Sequence, residues 1–142
     1  MAALIVTGWA AAQSGHLGSR LTMDAHFDSR RFPVAAVDYL EKSNLPKVVI
    51  GPDYWGGYLI YRVYPKGLVA VDDRHDLYGE QFLKSYLKLM LVEPGWDEVL
   101  REHDIPCVMA PKGSAVNNIL ALQPAWTEVY RDEVAVVFVR SP

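Results

Sequence analysis

The chain has 142 residues, 51% of them hydrophobic and 22% charged, with 14 basic against 17 acidic side chains and a formal net charge of -3. A single domain of this size buries roughly two thirds of the surface its unfolded chain exposes, so it needs neither a metal nor a disulfide staple to fold. The composition excludes a collagen-like or disordered chain, and the lack of a basic excess argues against nucleic acid or an anionic membrane surface as main partner.

The beginning of the chain stands apart. Residues 1–19 contain no Asp, Glu, Lys or Arg, and residues 2–12 (AALIVTGWAAA) are nearly all apolar. A membrane span needs about 20 predominantly apolar residues, whereas this run breaks at Gln13, Ser14, Gly15 and His16. A secretory signal would place Lys or Arg ahead of the apolar run, and none is there. Two readings stay open: an ordinary N-terminal helix or strand, or the last turns of a transmembrane helix whose earlier part is not in this sequence, with Trp9 at its interface. Residues 1–26 are therefore taken as an apolar segment and connector, and 27–142 as a single α/β domain.

Downstream the elements alternate. Residues 34–42 form a helix that follows Pro33 and presents Val34, Val37, Leu40 and Tyr39 on one face, with Asn44 as its stop. The β-branched run 47–50, closed by Gly51 and Pro52, predicts a strand buried on both faces. Asp53 stands at the N-cap position of a helix over 54–64, stopped by Pro65 and Gly67. A second buried strand follows over 68–71. The helix predicted over 79–91 turns Phe82, Leu83, Tyr86, Leu87 and Met90 to one side and Glu80, Lys84 and Lys88 to the other. Pro94 opens a short helix with Trp96, Val99 and Leu100; a third strand covers 107–110 and a helix 114–122. Runs 126–130 and 134–139 flank Arg131, Asp132 and Glu133 as a terminal antiparallel hairpin. This order predicts a three-layer, Rossmann-like α/β fold whose sheet is mostly parallel, with the hairpin at its end.

In such a sheet, ligands meet the loops beyond the carboxyl ends of the strands. Three loops fall there: 51–57, 72–79 and 111–114. The first carries Asp53, Tyr54, Trp55, Gly56 and Gly57. A glycine pair in the first turns of a helix costs about 1 kcal/mol per residue relative to Ala, which close packing against a strand or a phosphate or sugar at the helix N-terminus would offset. By the packing reading, a side chain at Gly57 crowds the helix against the sheet. Tyr54, Tyr58 and Tyr61 form a stripe, core by one reading and a stacking surface by the other. The second loop holds Asp72, Asp73, Arg74, His75 and Asp76, which suit either a divalent cation with a carboxylate or phosphate on Arg74, or a cap, an ion pair and solvated charge. No second cluster at metal-ligand spacing accompanies them, so no metal and no cofactor is assigned. In the third loop, Lys112 and Ser114 precede a helix without P-loop spacing, and Ser114 suits an N-cap. Cys107 alone can form neither an internal disulfide nor a Cys-based zinc site and fits a buried strand. No GxSxG, HExxH, CxxC or GxGxxG motif occurs, and no catalytic residue is assigned.

The segments 53–61 (DYWGGYLIY) and 71–78 (VDDRHDLY), Trp96 after Pro-Gly, and Trp126 ahead of Val129-Tyr130-Arg131-Asp132 together resemble the C-terminal soluble region of bacterial polytopic membrane proteins. These are GT-C-type glycosyltransferases of the dolichyl-phosphate-mannose-protein mannosyltransferase-like group. The resemblance covers about residues 27–140, and its most specific parts are WGGYL and DDRHD. It implies an accessory, non-catalytic domain on the extracytoplasmic (periplasmic) face, partnered by the membrane portion of a parent protein and by glycan. The catalytic acidic residues of that group sit in an early loop between membrane helices, to which nothing here corresponds. The alternative is a free-standing small α/β enzyme or ligand-binding protein that uses the acidic loop at the sheet edge.

Overall fold

The computed structural model describes residues 16–17, 20–21, 26–44, 46 and 48–141. Most of the apolar run 1–12 and of its connector therefore lies outside the described residues, apart from a minimal antiparallel ladder in which β1 (His16–Leu17) pairs with β2 (Arg20–Leu21).

The domain proper consists of α1 (Val34–Lys42), β3 (Val48–Ile50), α2 (Asp53–Val63), β4 (Leu68–Val69), a 3-10 turn (His75–Leu77), α3 (Glu80–Leu91), α4 (Glu98–Glu102), β5 (Cys107–Pro111), α5 (Ala115–Leu120), β6 (Trp126–Arg131) and β7 (Ala135–Arg140). Five strands form one sheet in the order β4-β3-β5-β7-β6. Side-chain alternation along the strands divides the core into two layers. Val49, Cys107, Met109, Ala135 and Val137 meet Ala36, Val37, Leu40, Trp55, Leu59 and Val63 of α1 and α2 on one face. Ile50, Val108, Ala110, Val136 and Phe138 meet Tyr86, Leu89, Val99, Leu100, Val116 and Leu120 of α3, α4 and α5 on the other.

The sheet is mixed, and that corrects the expectation of a mostly parallel Rossmann-like sheet. β3 pairs in parallel with β4 and β5 over two residue pairs each, while β7 pairs antiparallel with β5 and β6 over five pairs each. The cause is where the hairpin inserts. Its second strand carries four consecutive fully buried residues, Ala135 to Phe138, and such a run is stable only inside a sheet covered on both faces. It therefore docks beside β5, and the hairpin supplies two of the five strands.

Four of the five described helices begin and end within two residues of the predicted bounds; α4 does not, because Pro94 to Asp97 form turns and the helix starts only at Glu98, which leaves Trp96 outside it. Three further differences are informative. Asp53 is the first residue of α2, and Pro52 takes the cap position. β4 stops at Val69, though Ala70 still donates its N–H to the Val49 carbonyl at 2.9 Å. On α3, Leu87 is exposed, which corrects its expected place on the core side, and Leu89, unassigned from the sequence, is fully buried. The tie between Tyr86 and the α2 N-terminus described below fixes the rotation of α3 and carries Leu87 to the outside.

Candidate functional site

Because β3, β4 and β5 are parallel, the three predicted loops do open on one edge of the sheet. The first turn of α2, the middle of α3, the end of β5 and the start of α5 enclose a cleft there of about 270 Å³. Its floor is apolar, made by Met90, Met109, Ala110 and Val116, and its polar groups are Asp53, Tyr54, Tyr86 and Ser114.

Asp53 organises the rim. Its backbone N–H donates to the Tyr86 hydroxyl at 2.8 Å, which satisfies one of the unpaired amides of the α2 N-terminus from a neighbouring helix. One carboxylate oxygen accepts the Tyr54 N–H at 2.9 Å and the other lies 2.8 Å from Nε2 of His75. One residue thus joins α2, α3 and the 3-10 turn of the second loop. Burial pushes the Tyr86 hydroxyl above the ordinary phenol range, so it stays protonated. The Asp53 carboxylate already stands where an anion at this helix N-terminus would sit, which disfavours the phosphate reading of the first loop.

The rest of that loop divides by face. Trp55 is buried and donates its indole N–H to the Arg31 carbonyl at 2.9 Å, so it is a core residue. Gly56 lies under the second loop: a Cβ built on it would stand 2.4 Å from the Asp72 Cα and from the Val71 carbonyl oxygen. Gly57 is exposed, and a Cβ there meets nothing within 4 Å. The close-packed glycine is therefore Gly56, and the expectation that a side chain at Gly57 crowds the sheet is corrected. The tyrosine stripe divides too, with Tyr58 buried and Tyr54 and Tyr61 exposed.

The acidic loop is spent largely on itself. Asp72 is buried; its carboxylate accepts the Arg74 N–H at 2.9 Å and the Arg74 guanidinium at 2.9 and 2.5 Å, while its own N–H donates to the Tyr78 hydroxyl at 3.1 Å. These bonds to Arg74 hold the Asp72 carboxyl below the usual carboxylate range, against the opposing effect of burial. With Arg74 on Asp72 and His75 on Asp53, only Asp73 and Asp76 of the predicted cluster stay exposed to solvent without such ties. Among the described residues no group of three His, Cys, Asp or Glu side chains converges as metal ligands would.

In the third loop Lys112 pairs with Glu133 at 2.8 Å, and Ser114 caps α5 by accepting the Asn117 N–H at 3.2 Å. Asn117 is itself buried, and its Oδ1 is without a partner. Of the predicted site residues, the cleft thus gathers Asp53, Tyr54 and Ser114, with His75 at its rim; Trp55, Gly56 and Asp72 belong to the architecture. Tyr86, Leu87 and Met90 are lining residues that sequence reasoning placed on the core side of α3, and Met109 lines the cleft from the core itself. For the three on α3 the signal was an apolar stripe wider than one core face needs. The cleft suits a neutral group with both an apolar face and hydroxyls, because its floor is hydrophobic and a few polar side chains, from buried Tyr86 to exposed Tyr54, line it.

Among the described residues no helix is long and apolar enough to cross a membrane. No family model matches the chain, and no curated protein matches its sequence. Its fold is shared with a solved domain, the C-terminal globular domain of oligosaccharyltransferase from Archaeoglobus fulgidus. The likeness covers 82% of this chain and 100% of that one, with a TM-score of 0.58 and 7% sequence identity, and at that identity it is a likeness of fold.

Proposed function

We propose that the chain is a non-catalytic accessory domain of a membrane glycosyltransferase-like protein of the dolichyl-phosphate-mannose-protein mannosyltransferase-like group. It stands on the extracytoplasmic side and helps hold glycan or acceptor next to the membrane portion of its parent. The observation that carries this reading is the fold shared with the whole of an oligosaccharyltransferase C-terminal domain, which agrees with the resemblance of the WGGYL and DDRHD segments. The cleft supports a binding role: Asp53, Tyr86 and Ser114 line it together with an apolar floor, the mixture that a sugar ring with its hydroxyl rim and CH face requires.

The test has two arms. An antibody against the domain follows the protein through cell fractionation and protease treatment of wall-stripped cells; the expected result is recovery with membranes and digestion from outside. A protein found in the cytosol refutes the assignment. In the second arm, saccharides are titrated against the isotope-labelled chain, and amide shifts are expected at Asp53, Tyr54 and Ser114.

A further inference from the structure

Among the described residues, helix α2 leaves one face largely uncovered, with Phe27 against its edge. Tyr54, Gly57, Tyr61 and the helix-closing Tyr64 follow at spacings of three and four, so they share one stripe. The three tyrosines are 61, 72 and 68% exposed. Among the described residues, no hydrogen bond involves any of their hydroxyls. Gly57 lies open between Tyr54 and Tyr61 with no described segment folded over it. The stripe carries no charge, and Arg62 beside it is tied to Asp38 at 2.6 Å and to Glu41 at 3.0 Å.

The continuously described chain begins at His26 and meets this stripe at its edge. After the connector the chain passes through Phe27, whose ring centroid lies 4.6 Å from that of Tyr58 and 5.8 Å from that of Tyr61. Residues 2–12 are too few to span a bilayer alone but are apolar enough to partition into one, and only 14 residues of sequence separate them from Phe27. Tyrosine is the side chain that suits the headgroup zone, with an apolar ring and a hydroxyl that stays wet.

We infer that the Tyr54, Gly57, Tyr61 and Tyr64 stripe, with Phe27 at its edge, rests on the headgroup zone of the bilayer that takes up the apolar N-terminal residues. This inference rests on reading the chain as part of a membrane protein. With no charge on the stripe, the contact is made by rings and hydroxyls, so neutral lipid serves as well as anionic lipid.

The full chain provides its own probe site. Cys107 is fully buried and unreactive, so a Gly57→Cys variant takes a polarity-sensitive fluorophore at the open position of the stripe. On phosphatidylcholine vesicles the emission is expected to move to the blue and brighten several-fold, and to be quenched by a nitroxide carried at headgroup depth. The same fluorophore on an Ala121→Cys variant, across the sheet at the end of α5, is expected to stay unchanged. Adding Tyr54→Ser and Tyr61→Ser to the Gly57→Cys chain should abolish the response. Vesicles that bind the chain while residue 57 remains in water overturn the inference, as does a chain that binds no vesicles. A response to soluble oligosaccharide in place of vesicles, or to protein concentration alone, overturns it in favour of a glycan platform or of self-association. Failure here with the protein still digested from outside the cell removes the surface and leaves the accessory-domain reading standing; a cytosolic protein removes both.

Discussion

Adjacent glycines in one helix should respond to the same substitution with opposite signs. A Cβ at Gly56 would sit 2.4 Å from the backbone of Asp72 and Val71, whereas ordinary contact begins at 3.4 Å, so α2 and the second loop must separate by 1.0 Å. Backbone atoms on one side and a helix on the other leave little to yield, and overpacking of that kind costs about 3 kcal/mol, at the upper end of its usual range. Alanine recovers roughly 1 kcal/mol of helix propensity, so Gly56→Ala should lose about 2 kcal/mol net. At Gly57 only the propensity gain remains, and Gly57→Ala should add up to about 1 kcal/mol. For a domain of this length those values correspond to a melting temperature lower by about 6 °C and higher by about 3 °C respectively. Urea and thermal unfolding followed by circular dichroism measure both. A neutral Gly56→Ala, or a Gly57→Ala that destabilises, would mean that the rotation of α2 against the second loop is not as described.

The acidic loop should divide in the same manner: Asp72→Ala is expected to cost about 2 kcal/mol because it strips a buried carboxylate from the Arg74 amide and guanidinium, while Asp73→Ala stays within about 0.5 kcal/mol. Since the folded-state pKa of Asp72 is lowered below 3.8, its contribution is complete at neutral pH and is lost as pH falls through that lowered value; the acid limb of a stability profile should therefore flatten in Asp72→Ala and not in Asp73→Ala. The Cys107 thiol, raised by burial to about 12, should ignore thiol reagents in the native chain and react fully after denaturation, which a colorimetric thiol assay reads directly. Tyr86→Phe should cost about 1 kcal/mol by leaving the Asp53 N–H without its acceptor, and should weaken any saccharide response at Asp53 in the labelled chain.

How far these features were legible in the sequence depended on whether a local rule decided them. Helix 34–42 and the stop at Pro65 and Gly67 follow from local chemistry, and the structure places them accordingly. The order of the strands does not: Ala135 to Phe138 looks the same in sequence whether it hangs at the end of a sheet or lies beside β5, and only the burial of both its faces distinguishes the two. The glycine pair was visible, but which member packs depends on the helix phase, which is set by contacts with residues 71 and 72. Leu87 was misplaced for the same reason, since Tyr86 is drawn to the α2 N-terminus by a hydrogen bond that no periodicity encodes. In the run DDRHD the first carboxylate is buried and bonded to Arg74 while the next is exposed, a distinction set by the packing of Asp72 against Gly56 and by its bonds to Arg74 rather than by anything in the run itself.

Those fates bear on what the sheet edge can do. Acid–base catalysis by two carboxylates needs a pair whose environments separate their protonation states around one reacting atom. Here Asp72 is committed to Arg74, and Asp53 serves as a clamp that joins α2, α3 and the His75 turn around the cleft. A rim fixed from three directions preserves the shape of an apolar floor without strongly polarising what rests on it. Tyr54 lines this cleft and is also the residue where the open stripe of α2 begins. Cleft and stripe therefore share one side chain, and a substitution such as Tyr54→Ser should disturb saccharide shifts and vesicle contact together, whereas Tyr61→Ser should disturb only the second.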